Sequence, residues 1–134
     1  MCAALASQEL VIVTVVIVAT GVFFLGMGLF ALVRPAALIR PFGIDLPTAD
    51  SRAEVRAVYG GFGVAIAGML ALAATHPSTR AGILITVAAA LGGMAFGRLV
   101  SGFIDRPKTL YPNWFYFLVE LVGTAALAWA GLAA

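Results

Sequence analysis

The sequence predicts an all-α fold: an integral membrane four-helix bundle of up-down-up-down topology. Two observations predict it. Of 134 residues, 63% are hydrophobic and only 10% charged, with a mean hydropathy of +1.08, far from the composition of a water-soluble domain. The apolar residues also fall into four runs, 10–33, 55–75, 81–104 and 113–132, each near the roughly 20 residues that a helix needs to cross hydrocarbon. With connections this short, one domain is expected to fill the chain from 1 to 134.

The first run is far longer than the apolar core of a signal peptide, and MCAALASQE before it contains no Lys or Arg, which reads as an uncleaved first helix. Cys2 is either an inconsequential terminal residue or a lipidation site, although no lipidation pattern surrounds it. Cys2 and His76 are single representatives of their types. An intramolecular disulfide, a CxxC pair, a two-histidine haem site and an all-protein zinc site are thereby excluded, and no metal or cofactor is expected. His76 falls in HPST, which reads as a solvated turn between the second and third spans.

Arg34, Arg40, Arg52, Arg106 and Lys108 lie in the first and third connections, against Arg80 alone on the other side. The positive-inside rule therefore puts connections 34–54 and 105–112 in the cytoplasm and both termini outside. Anionic lipid headgroups account for the net charge of +2, and nothing points to nucleic acid. Pro35, Pro41, Gly43 and Pro47 deny the first connection a continuous helix. It is expected to lie along the interface, with Leu38, Ile39, Phe42, Ile44 and Leu46 dipping in and Arg40 and Asp45 wet, or to dock a partner.

Depth singles out two charges. Arg98 precedes Asp105 by seven residues and Glu120 follows Pro112 by eight, which puts them roughly 10 and 12 Å into the membrane at about 1.5 Å per residue. A lone charge at that depth costs several kcal/mol, so the two are expected to pair, with each other, as a buried ion pair. On the fourth span Asn113, Tyr116, Glu120 and Thr124 form one stripe, and on the third Arg98, Ser101 and Asp105 form another.

The second span opens with DSRAEVRAVYGGFG. Ser51 and Glu54 have the spacing of a capping box; the alternative for Glu54 is a pocket role. Arg56 either snorkels to the surface or turns inward with Tyr59 and Gly63 to join the Arg98–Glu120 layer. Small residues recur every four positions at Gly93, Gly97 and Ser101, at Ala57, Gly61 and Ala65, and at Ala126, Ala130 and Ala134, and every seven at Thr14, Gly21 and Gly28. Such faces pack helices within a bundle or between copies in a homo-oligomer. Tyr111, Trp114 and Tyr116 at one end of the fourth span and Trp129 near the other fit aromatic belts.

The stretches RPAALIRPFGIDLPTADSRAEVRAVYGG, GRLVSGFIDRP and FYFLVELVG resemble a family of small four-helix bacterial membrane proteins classed as a domain of unknown function, loosely similar to the DoxX-like tetraspan group. The resemblance covers nearly the whole chain and rests on the residues around Glu54 to Gly61, Arg98 and Glu120. It implies a four-helix bundle in a bacterial inner membrane and lends no reaction. The DoxX group is associated with quinone-linked and oxidative-stress assemblies, but this chain lacks a distinguishing redox motif. RPAALIRP and RPKTLYP also echo one another, either as two duplicated helical hairpins or as convergent helix stops.

Three functions remain open. The first is a non-catalytic accessory or stabilising subunit of a membrane assembly. The second is a pocket for a lipid headgroup or quinone-like amphiphile: Arg98 and Arg56 would hold an anionic or carbonyl group, Glu120 would orient them or move a proton, and Tyr59 and Tyr116 would donate hydrogen bonds. The third is a small proton-coupled transporter using Glu120, against which an arginine at the same depth argues. The expected partners are membrane lipids and either a membrane protein or a second copy of the chain.

Overall fold

The computed structural model describes residues 2–134, with side chains from Ser7 onward; the side chain of Cys2 lies outside the described residues. Every regular element among them is helical. The first helix, α1 (Cys2–Val33), ends where Pro35 makes the preceding Arg34 leave helical geometry, at φ −131° and ψ 63°. A short helix α2 (Pro35–Ile39) follows with proline in its first turn, then a 3₁₀ turn, Arg40–Phe42. Gly43 closes that turn at φ +70°, a left-handed position that suits glycine.

The next helix, α3 (Ala49–Thr75), begins earlier than hydropathy indicates and is capped differently from the expectation. Thr48, not Ser51, is the N-cap. Its Oγ1 accepts from the Ser51 N–H at 3.0 Å, and Ser51 Oγ accepts from the Thr48 N–H at 3.2 Å. Ser51 thus occupies the position assigned to Glu54, because its short hydroxyl reaches back one turn as a Glu carboxylate would. Glu54 lies a turn further on, exposed and outside the box. Within α3 the residues Arg56–Gly61 form a π-helical turn.

HPST is not a loop. Only His76 separates α3 from α4 (Pro77–Ile104), and Pro77 starts the new helix because its missing N–H leaves no partner wanting there. Arg80 secures the junction: Nε donates to Ala73 O at 2.8 Å and an Nη to Ala74 O at 3.2 Å, satisfying the last carbonyls of α3. The last helix, α5 (Phe115–Ala133), follows a wide turn over Leu110–Trp114 in which Tyr111, before Pro112, is extended. The two Arg-Pro stops also differ in backbone: Pro35 begins a helix, whereas Arg106 takes φ +50° and residues 107–109 are not helical.

Four helical segments, Ser7–Val33, Ala49–Thr75, Pro77–Ile104 and Leu110–Ala133, are long and apolar enough to cross a membrane. The described chain divides into two compact units. Residues 18–71 form one, in which α1 and α3 meet through glycine. A Cβ on Gly28 would stand 2.8 Å from Val64 N and 3.0 Å from Gly60 O, and one on Gly63 would stand 3.1 Å from Gly28 Cα. Of the seam expected at Thr14, Gly21 and Gly28, the two glycines meet α3, with Leu70 Cβ 3.7 Å from a Cβ placed on Gly21, whereas Thr14 is exposed and donates to Leu10 O of its own helix.

Residues 2–17 and 72–134 form the other unit. Contacts between α4 and α5 step from Gly102 against Trp114, through Gly92 against Thr124, to Leu84 and Ile85 against Gly131, so these two helices run antiparallel. Leu84, Leu127 and Ala130 are fully buried here. Two expected small-residue faces lie elsewhere than in close packing. A Cβ on Gly93 or Gly97 meets nothing within 4 Å, and Ala57, Gly61 and Ala65 are all exposed. Glycines pack closely where the facing backbone comes near, and the four-residue spacing alone does not tell which face that is.

Candidate functional site

Arg98 on α4 and Glu120 on α5 form an ion pair. Arg98 Nε donates to Glu120 Oε1 at 2.9 Å and to Oε2 at 2.8 Å. The side chain of Glu120 is 5% accessible and that of Arg98 21%, so the carboxylate is enclosed and the guanidinium edges toward the helix surface. The local reason is register: in an antiparallel hairpin, residues equally far from the turn come level, and the sequence places these two so.

The stripe on α5 builds the rest. Tyr116, one turn before Glu120, sets its ring 5.2 Å from Arg98 Cζ, a distance at which the ring quadrupole attracts the cation. Thr124, one turn after, donates from Oγ1 to Glu120 O at 2.7 Å, and its methyl lies 3.3 Å from where a Gly92 Cβ would be. Glycine at 92 therefore lets α4 close onto the threonine. Asn113 begins the stripe, and its Nδ2 is buried without a hydrogen-bond partner among the described residues.

Toward the turn, Ser101 Oγ donates to Asp105 Oδ2 at 2.6 Å, which bends the carboxylate back along α4. Trp114 does more than sit in an aromatic belt. Its indole Nε1 donates to Pro107 O at 3.0 Å, and its ring lies so close over Gly102 that a Cβ there would fall 2.5 Å from it. No signal in the sequence marked that contact, since a tryptophan at a span end is explained by the interface alone.

Arg98, Ser101, Asp105, Tyr116 and Glu120 thus belong to one unit, and Arg56 and Tyr59 to the other. Arg56 finds its partner there, donating from Nε to Leu32 O at 2.9 Å across 24 residues of sequence. A cation on the last carbonyls of α1 complements the helix dipole. Tyr59 is exposed while Gly63 faces Gly28, because the π-helical turn rotates the face on which the three would otherwise align. Among the described residues, no three His, Cys, Asp or Glu side chains cluster as metal ligands would.

Four apolar helices of membrane-spanning length, two of them joined by an Arg–Glu pair whose carboxylate is buried, define the class: an integral membrane protein of all-α type. The chain belongs to the DUF4345 family, a domain of unknown function, whose model matches residues 12–131 and so includes every residue of the site. Comparison with curated proteins and with solved structures returns no match.

Proposed function

We propose that this protein is a small non-catalytic subunit that accompanies or stabilises a larger assembly in a bacterial inner membrane. Both termini would face outward, with 34–54 and 105–112 in the cytoplasm, an orientation supported by the five cations of those connections. One observation carries the non-catalytic reading: the two charges at depth are engaged with one another. Both oxygens of Glu120 accept from Arg98, and Thr124 is bonded to the Glu120 carbonyl. A carboxylate so held sets helix register, a role that buried pairs perform without adding much stability.

The test is native mass spectrometry of the protein extracted gently from its own membrane. A second protein at fixed stoichiometry, with no stoichiometric small molecule, is the expected result. A bound amphiphile that disappears in Arg98→Ala would replace this reading with a pocket built on Arg98 and Glu120. Recovery of the chain with neither would also end the subunit proposal.

A further inference from the structure

The turn between α4 and α5 carries chemistry that the ion pair does not use. It is held rigidly. The Arg106 N–H bonds Ser101 O at 3.3 Å, Trp114 Nε1 bonds Pro107 O at 3.0 Å, and Thr109 Oγ1 bonds Tyr111 O at 2.9 Å. On this frame stand two exposed cations, Arg106 and Lys108, whose side chains make no hydrogen bond or ion pair among the described residues. The nearest acid in sequence, Asp105, is turned instead to Ser101.

The backbone at Arg106 sharpens this. Its φ of +50° is a left-handed conformation that glycine adopts freely and an arginine adopts at a cost. A charged side chain at such a position is strain of the kind found where a side chain serves a site. Around the cations the turn is apolar and open: Phe103 is 75% exposed, Ile104 74%, Leu110 64% and Tyr111 49%. These residues close the span of α4 and open that of α5, and so lie at the level where hydrocarbon gives way to headgroups.

We infer that the 105–112 turn is a binding site for an anionic phospholipid, with Arg106 and Lys108 on the headgroup phosphate and Phe103, Ile104, Leu110 and Tyr111 against the acyl chains. The lipid, not a protein, is the occupant because the surface pairs unneutralised positive charge with exposed apolar side chains at one edge of a span, which is the complement of an anionic headgroup above its chains. The inference rests on the membrane-spanning reading and not on the subunit reading. A failure to find a partner protein leaves it standing.

The test uses the full chain reconstituted in nanodiscs, with Trp129→Phe as background, so that Trp114 is the only tryptophan. Brominated phosphatidylglycerol and brominated phosphatidylcholine are compared as quenchers of its fluorescence. The anionic lipid should quench at lower mole fraction. The variants Arg106→Gly, which keeps the left-handed turn, and Lys108→Gln should each reduce that preference about fivefold, as expected for one charge near a membrane surface, and the double variant should bring it near unity. Equal quenching by the two lipids, or a preference untouched in the double variant, would overturn the site. Replacing chloride by inorganic phosphate at equal ionic strength should change nothing; loss of the preference there would reassign the turn to a free anion and reject the lipid.

Discussion

The two units of this chain hold their helices together by opposite means. In residues 18–71, α1 and α3 touch backbone to backbone: Gly28 against Val64 and Gly60, Gly63 against Gly28, and Arg56 reaching back to the Leu32 carbonyl. In residues 72–134, α4 and α5 are joined by side chains, above all Arg98 with Glu120, with Thr124 against Gly92 and Trp114 over Gly102. Lipid supplies no hydrophobic drive to bring helices together, so each contact must come from close packing or from a polar bond. A glycine seam fails when anything is added to it. An ion pair fails when one half is taken away.

That contrast fails or holds on measurable effects. The largest is expected from Glu120→Ala, which leaves Arg98 without its carboxylate: a loss of about 3 kcal/mol or more, read by denaturant unfolding in detergent micelles. The exchange Arg98→Glu with Glu120→Arg should recover most of the folded yield lost in either single reversal. No recovery would mean that the pair is incidental to register. Next comes Gly28→Ala, whose new methyl meets backbone atoms that cannot rotate aside, at about 1–3 kcal/mol. Gly97→Ala, facing open space, should cost less than about 0.5 kcal/mol. Equal losses at the two glycines would erase the distinction drawn between packed and unpacked small-residue faces.

An effect below that of Gly28→Ala, about 1 kcal/mol, is expected from Thr48→Ala at the N-cap of α3, while Glu54→Ala should be near neutral. Reversal of that order would restore Ser51 and Glu54 as the cap. One further effect has the opposite sign. Arg106→Gly should raise stability in uncharged detergent, by up to about 1 kcal/mol, because glycine takes the left-handed position without strain. The same substitution should weaken selection of anionic lipid, so that stability and binding move apart.

Four helices long and apolar enough to cross a membrane, and the matching register of Arg98 and Glu120, were legible without coordinates, since both follow from quantities that a chain states directly: runs of apolar residues and the fixed rise of a helix. The stripe of Tyr116, Glu120 and Thr124 was legible for the same reason, helical periodicity. Helix starts were not, because Thr48 and Pro77 lie in polar stretches that a hydropathy run passes over, and a cap is decided by which hydroxyl turns back to which N–H. The environment of Arg56 was not, because the π-helical turn at Arg56–Gly61 shifts the face that ideal periodicity assigns to it.

What the sequence by itself determined, then, is the class and the chemistry at depth: apolar length requires helices that can span a membrane, and an arginine and a carboxylate at one level have each other as the cheapest partner. Tertiary structure alone decided which of several equivalent glycine faces closes on a neighbour, that Trp114 locks the turn by lying over Gly102, and that Arg106 stands left-handed beside Lys108 while Asp105 turns to Ser101. The reason is that spacing along one helix states which residues share a face, whereas the approach of two backbones depends on both helices at once.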